Sequence, residues 1–358
     1  MFRRLVFLCS FATALLGAAA VASAAEPERC QGLDRRFEIA RPQITAIEVS
    51  LTLFSAVDAN CVDLATKLLD QGASVDARDR LGARPLSHAA RSGHLRMVDL
   101  LLARGAPIDA RNLAGSTALY FAAEGSQILI AQRLIERGAD VKLTGRSGIS
   151  PIAAAAYAGN EIIFDALLAH GADERAPDDT GKPPVVYAAA GARFEIVKRL
   201  LARNIDVNAR YRNDLTLLMW ASGPDEGVPE AQANKVVTYL LDTGAHIDDR
   251  DDRGRTALMI AAEGGHAEIA GLLLARGADP ALKDKTGKRA ATEIGHLFCQ
   301  VIPAHAGQPR HRAVALKMIE MAAGTADRLI GAHRLGGDFL GRARQQSRHV
   351  RFDERDLA

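Results

Sequence analysis

Two ladders of glycine run through this chain with one shared spacing, and no other feature limits its fold so strongly. Gly82, Gly115, Gly148, Gly181, Gly254 and Gly287 stand in one register, with Asp214 in the place of a glycine between 181 and 254. Each step is 33 residues except Asp214 to Gly254, which is 40. A second ladder keeps the step: Gly72-Ala73, Gly105-Ala106, Gly138-Ala139, Gly171-Ala172, Gly244-Ala245 and Gly277-Ala278, with Asn204-Ile205 on the fifth rung. Two ladders sharing one period and one insertion define a repeated supersecondary unit.

The stretch Asp79–Arg111 shows what one unit must be. Asp79-Arg80-Leu81-Gly82 is a turn, because glycine takes positive φ without a steric penalty. Pro85-Leu86-Ser87-His88-Ala89-Ala90 opens a short helix, with proline tolerated in its first turn. Ser92-Gly93 breaks it, and His94 begins a second helix. There Leu95, Val98, Leu101 and Leu102 recur at three- and four-residue spacing, which makes one apolar stripe. Gly105 ends that helix. Neither helix can bury its stripe alone, so neighbouring units must stack and share a core.

The unit resembles the ankyrin repeat. The match is fullest in Asp251–Lys283, with Gly254, Thr256, Leu258, Ala261-Ala262, Gly265-His266, Leu272-Leu273-Leu274 and Gly277-Ala278-Asp279. Six full units follow one another: 79–111, 112–144, 145–177, 178–210, 211–250 and 251–283. A degenerate unit, 46–78, precedes them, with Asn60 where the interhelical glycine belongs, and a partial one, 284–298, follows. The resemblance implies an all-α repeat solenoid of stacked helix-turn-helix units with hairpin-like turn fingers. It also implies a non-enzymatic protein that binds another protein through the groove lined by the first helices and through the turn tips.

Departures from the family pattern carry their own expectations. The threonine that caps the first helix is kept at Thr117, Thr216 and Thr256, with Ser150 as a substitute, whereas Arg84 and Pro183 stand there in other units. A lost cap costs about 1 kcal/mol. The family's histidine in the first helix is replaced throughout, by Ser87, Tyr120, Ala153, Val186, Met219 and Met259. A seven-residue insertion falls within Gly223–Lys235, and its glycine, proline and acidic residues predict an extended loop rather than a longer helix.

The ends of the chain have no repeat register. Arg3 and Arg4 precede an uncharged run from Leu5 to Ala25 that closes on Ala22-Ser23-Ala24, the pattern of a cleaved export signal over 1–24. The mature protein is then expected in the periplasm or outside the cell, with no membrane anchor after cleavage; an uncleaved anchor is the other reading of a run about long enough to span a bilayer. Residues 25–45 are the candidate N-terminal cap, since a stack needs its first unit covered. The stretch 299–358, rich in arginine and glycine, is expected to be a largely disordered tail.

Chemistry has little to work with. The 45 basic and 43 acidic residues nearly balance, which argues against nucleic acid as a partner, and aromatics make up only 5%. No nucleophile elbow, phosphate loop or paired-histidine zinc helix is present, so the expectation is no enzyme and no cofactor. His296, Cys299, His305 and His311 have metal-ligand types, but their spacing fits no common zinc pattern, so no metal site is assigned. A metal- or redox-responsive role for Cys299 and these histidines is the alternative to the binding function. His94 and His266 are expected to be structural. Cys30 and Cys61 are candidates for a disulfide stapling the cap to the array, worth about 3 kcal/mol by loop closure, with two buried thiols as the other outcome.

Recognition is therefore assigned to the variable residues of the groove and tips. Tyr157, Tyr187 and Trp220 come from successive first helices, and Arg146, Asp179 and Arg212 from successive turn tips 33 residues apart. Tips of mixed charge, including Arg80, Asp252 and Arg253, suit a protein partner better than a polyanion.

Overall fold

The computed structural model describes residues 28–290. The predicted signal segment and the predicted tail, with Cys299 and the histidines around it, lie outside the described residues, as does the end of the partial last unit. The chain forms two compact blocks, one through Asp206 and one from Val207.

In the first block, helix α1 occupies residues 28–40, and ten helices follow as five antiparallel pairs. They are α2 (Ala46–Asp58) with α3 (Val62–Asp70), α4 (Pro85–Ser92) with α5 (Leu95–Ala103), and α6 (Ala118–Glu124) with α7 (Ile128–Glu136). The series closes with α8 (Pro151–Ala158) and α9 (Glu161–Ala169), then α10 (Pro184–Ala190) and α11 (Phe194–Leu201). First helices α2, α4, α6, α8 and α10 pack in order in one layer, and second helices α3, α5, α7 and α9 pack in another. In the second block, α12 (Leu217–Ser222) pairs with α13 (Glu230–Asp242), and α14 (Ala257–Glu263) with α15 (Ala267–Ala275). The described residues contain no β-strand beyond a single bridge between Lys283 and Arg289.

Burial follows the stripe, with one shift. In α5 the fully covered residues are Met97, Val98 and Leu101, while Leu95 and Leu102 are only half-buried. Each such apolar side chain contributes about 1.5–3 kcal/mol when taken out of water. First helices bury their alanine pairs, such as Ala89-Ala90 and Ala122-Ala123, because small residues let the helices of one layer approach closely.

Helix ends follow the predicted caps. Thr117, Ser150, Thr216 and Thr256 each accept a bond from the backbone N–H three residues on, at Tyr120, Ala153, Met219 and Met259. Arg84 and Pro183 provide none. Arg84 instead reaches Asp76 and the Arg111 carbonyl, tying two fingers together. Positions that carry glycine in other units keep a left-handed backbone where glycine is missing: Asn60 (φ 57°), Ser126 (φ 55°), Ala192 (φ 54°), Asn204 (φ 61°) and Asp214 (φ 58°). The register thus dictates the backbone even against side-chain preference.

Two segments go beyond the sequence expectation. The N-terminal cap contains a helix, α1, although its sequence has no clear period. Phe37 is buried, Lys67 of α3 reaches Asp34 at 2.8 Å and Glu38 at 2.5 Å, and Cys30 is bonded to Cys61. The insertion expected to be all loop divides instead. Only 223–229 is loop, and α13 starts a turn earlier than the other second helices and reaches 13 residues, against nine in α5, α7 and α9. Pro229 sets the entry, and Glu230-Ala-Gln-Ala contains strong helix formers that override the turn signals just before them. Glu230 then accepts from the Glu268 N–H and stands 3.5 Å from His266, so the added turn is anchored on α15.

Candidate partner-binding surface

The fingers are built by their first residue. The carboxylate of Asp79 accepts the N–H groups of Leu81 and Ala83, and Asn112, Asp178, Asp251 and Asp284 do the same two and four residues on. Gly145 and Tyr211 hold that place in the other two fingers, and there the tip winds into one 3-10 turn, Arg146–Gly148 and Arg212–Asp214. Gly145 is glycine for a steric reason. A Cβ there would stand 2.5 Å from the Tyr120 ring, which fills the space beside it.

Three of these side chains, Asp79, Asp178 and Asp284, are carboxylates held below their usual range. Burial pushes Asp178 up, but the Tyr187 hydroxyl and the N–H groups of Lys182 and Thr180 outweigh it and hold the group below the usual range. Asp79 behaves alike, with His88 as the main opposing partner to burial. His88 bridges Asp58 at 2.9 Å and Asp79 at 3.0 Å, linking α2 to the next finger.

The predicted contact residues separate on inspection. Arg146, Asp179 and Arg212 are exposed at their tips. The Asp179 N–H donates to the Ser147 carbonyl at 3.1 Å, so the fingers carrying Arg146 and Asp179 are adjacent. Tyr157, near the end of α8, is 41% exposed. Tyr187 is half-buried: its hydroxyl donates to Asp178 at 2.5 Å and its ring lies 4.9 Å from the Lys182 ammonium. Burial and the Asp178 charge push its hydroxyl well above the usual phenol range. Its ring therefore supports the finger–helix junction, a role set by the aspartate nine residues before it. Trp220 is also half-buried in α12. Arg212 and Trp220 belong to the second block; the other four belong to the first.

Two further exposed residues escaped sequence reasoning. Arg91 and Glu124 share the 33-residue register of Tyr157 and are exposed at the ends of α4 and α6. The Arg91 guanidinium lies 4.0 Å over the buried Phe121 ring, and Glu124 accepts from the Tyr120 hydroxyl at 3.2 Å. Burial, then Glu124, pushes that hydroxyl up to about 12. Extending the ladder backward from Tyr157 would have found both.

A family model described as ankyrin repeats in three copies matches residues 53–145, 130–211 and 211–284. The chain belongs to the ankyrin-repeat family. Ankyrin repeats generally mediate protein–protein interaction, and the family is typically a non-enzymatic scaffold. Ankyrin repeat domain-containing protein 63 of Mus musculus is 40% identical over 94 residues, 25% of this chain and 23% of that protein. Its Homo sapiens counterpart is 41% identical over 94 residues, 25% of this chain and 24% of that protein. Ankyrin repeat and KH domain-containing protein 1 of Homo sapiens is 40% identical over 75 residues, 19% of this chain and 3% of that protein. The matched stretches thus span at most about a quarter of these relatives. Among the described residues of this ankyrin array, no helix is long and apolar enough to cross a membrane, and no group of three or more His, Cys, Asp or Glu could hold a metal ion.

Proposed function

We propose that this protein is an exported ankyrin scaffold that holds a protein partner in the periplasm or outside the cell, as an assembly or protective factor for it. The observation that carries the reading is the exposed row Arg91, Glu124 and Tyr157 on consecutive first helices, beside the charged tip of Arg146. It combines an aromatic with both signs of charge, and binding hot spots favour tyrosine and arginine. Export rests on the basic and apolar N-terminal segment ending in Ala22-Ser23-Ala24.

Affinity capture from periplasmic extract with the mature protein tests the reading. A discrete partner is expected, and Tyr157→Ala with Arg146→Ala should weaken its capture by about 2 kcal/mol while helical circular dichroism and the melting midpoint stay close to wild type. Adding Arg212→Ala asks whether the second block contributes. Unchanged capture by the triple variant would remove this surface as the site.

A further inference from the structure

Leu81 and Leu113 are among the most exposed large apolar side chains of the described residues, at 65% and 80%. They stand at the tips of adjacent fingers in the first block. The Leu113 N–H donates to the Leu81 carbonyl at 2.9 Å. The Leu113 side chain lies so close over Gly82 that a Cβ on that glycine would meet its Cγ at 3.0 Å. The backbone bond thus sets the two exposed leucines on neighbouring tips, with the Leu113 side chain against the turn that carries Leu81.

The exposed side chains at the tips beside this spot are mostly basic. Arg80, Arg111 and Arg146 are exposed on the same run of fingers, and none forms an ion pair among the described residues. Arg111 donates to the carbonyls of Gly115 and Thr144, which leaves its charge unbalanced. Of the nearby carboxylates, Asp76 is paired with Arg84, while Asp79, facing His88 and two backbone N–H groups, and Asp109, accepting the Asp140 N–H, are only partly exposed. The sign reverses at the next tip, where the Asp179 carboxylate rests against Gly148.

We propose that the fingers from Arg80 to Arg146 form a docking ridge for a protein segment with adjacent aliphatic side chains flanked by carboxylates. The leucine pair would take the aliphatic residues and the arginines would pair with the acidic flanks. This rests on the partner-binding reading and narrows its chemistry.

The test is fluorescence anisotropy with the full mature chain and three labelled peptides. The first has two adjacent leucines flanked by glutamates, the second replaces those leucines with serines, and the third replaces the glutamates with lysines. The first should bind at least about tenfold more tightly than either control, and less tightly as salt rises. Leu81→Ser with Leu113→Ser should lower its affinity by about tenfold or more at unchanged circular dichroism. Asp179→Asn, which removes the repelling charge, should raise it by about threefold. Equal binding of the lysine peptide, or unchanged binding by the leucine double variant, overturns the ridge. Failure of the acidic peptide to bind also overturns it, while a captured partner that is lost on Tyr157→Ala would leave the groove function standing.

Discussion

At the scale of single residues, the polar contacts that shape the fingers are also the ones that should set acid stability. Asp178 sits in the folded state below its ordinary value of 3.8. Its contribution is therefore complete above the usual carboxylate range and is lost as pH falls through the lower, folded value. Asp79 and Asp284 are displaced in the same direction, so the three should act together. Melting followed by circular dichroism should show a midpoint that is flat toward neutral pH and drops steeply below about pH 4. Tyr187→Phe removes the hydroxyl that donates to Asp178 and should cost about 1.5 kcal/mol at neutral pH, since a bond to a charged group is lost. Full stability in Tyr187→Phe would show that the ring packs without help from its hydroxyl. The identity of this pair was half legible. The sequence places an aromatic and an acid nine residues apart, but the same spacing joins Asp79 to His88, and nothing local says which ring will be fixed and which offered to a partner.

At the scale of elements, α1 depends on tertiary contacts. Its face is held by Phe37, by the ion pairs of Lys67 and by the bond from Cys30 to Cys61, whose partners are 31 residues apart in sequence. A loop of that length contributes about 3 kcal/mol by restricting the unfolded chain. Treatment with a dithiol, or Cys30→Ser with Cys61→Ser, should lower the melting midpoint and speed hydrogen exchange over 28–40 ahead of α4 and α5. Alkylation of unreduced, denatured mature protein should leave this pair unlabelled, and labelling at both would remove the staple. The split of the insertion at Pro229 has the same lesson. Turn residues at 223–229 and helix formers from Glu230 onward are both visible in the sequence. The contacts that Glu230 makes with α15 then anchor the added first turn of α13.

At the scale of the whole molecule, export should leave a protein beginning at Ala25 or Glu26, just ahead of the capping helix. N-terminal sequencing of secreted material checks this, and Met1 on a membrane-bound product would refute it. The period of the array, the order of its paired helices, the threonine and serine caps and the left-handed glycines were determined by the sequence alone. Those features arise within one unit, where a turn residue or a threonine acts on backbone a few residues away. Which exposed residues form a surface was decided by the tertiary structure. Stacking brings together positions 33 residues apart, aligning Arg91, Glu124 and Tyr157 on consecutive helices, and adjacent finger tips set Leu81 beside Leu113. Burial in the same stack turns Tyr187 into a support. No local pattern separates these outcomes, because each depends on the neighbouring repeat's side chains and on how much water that neighbour excludes.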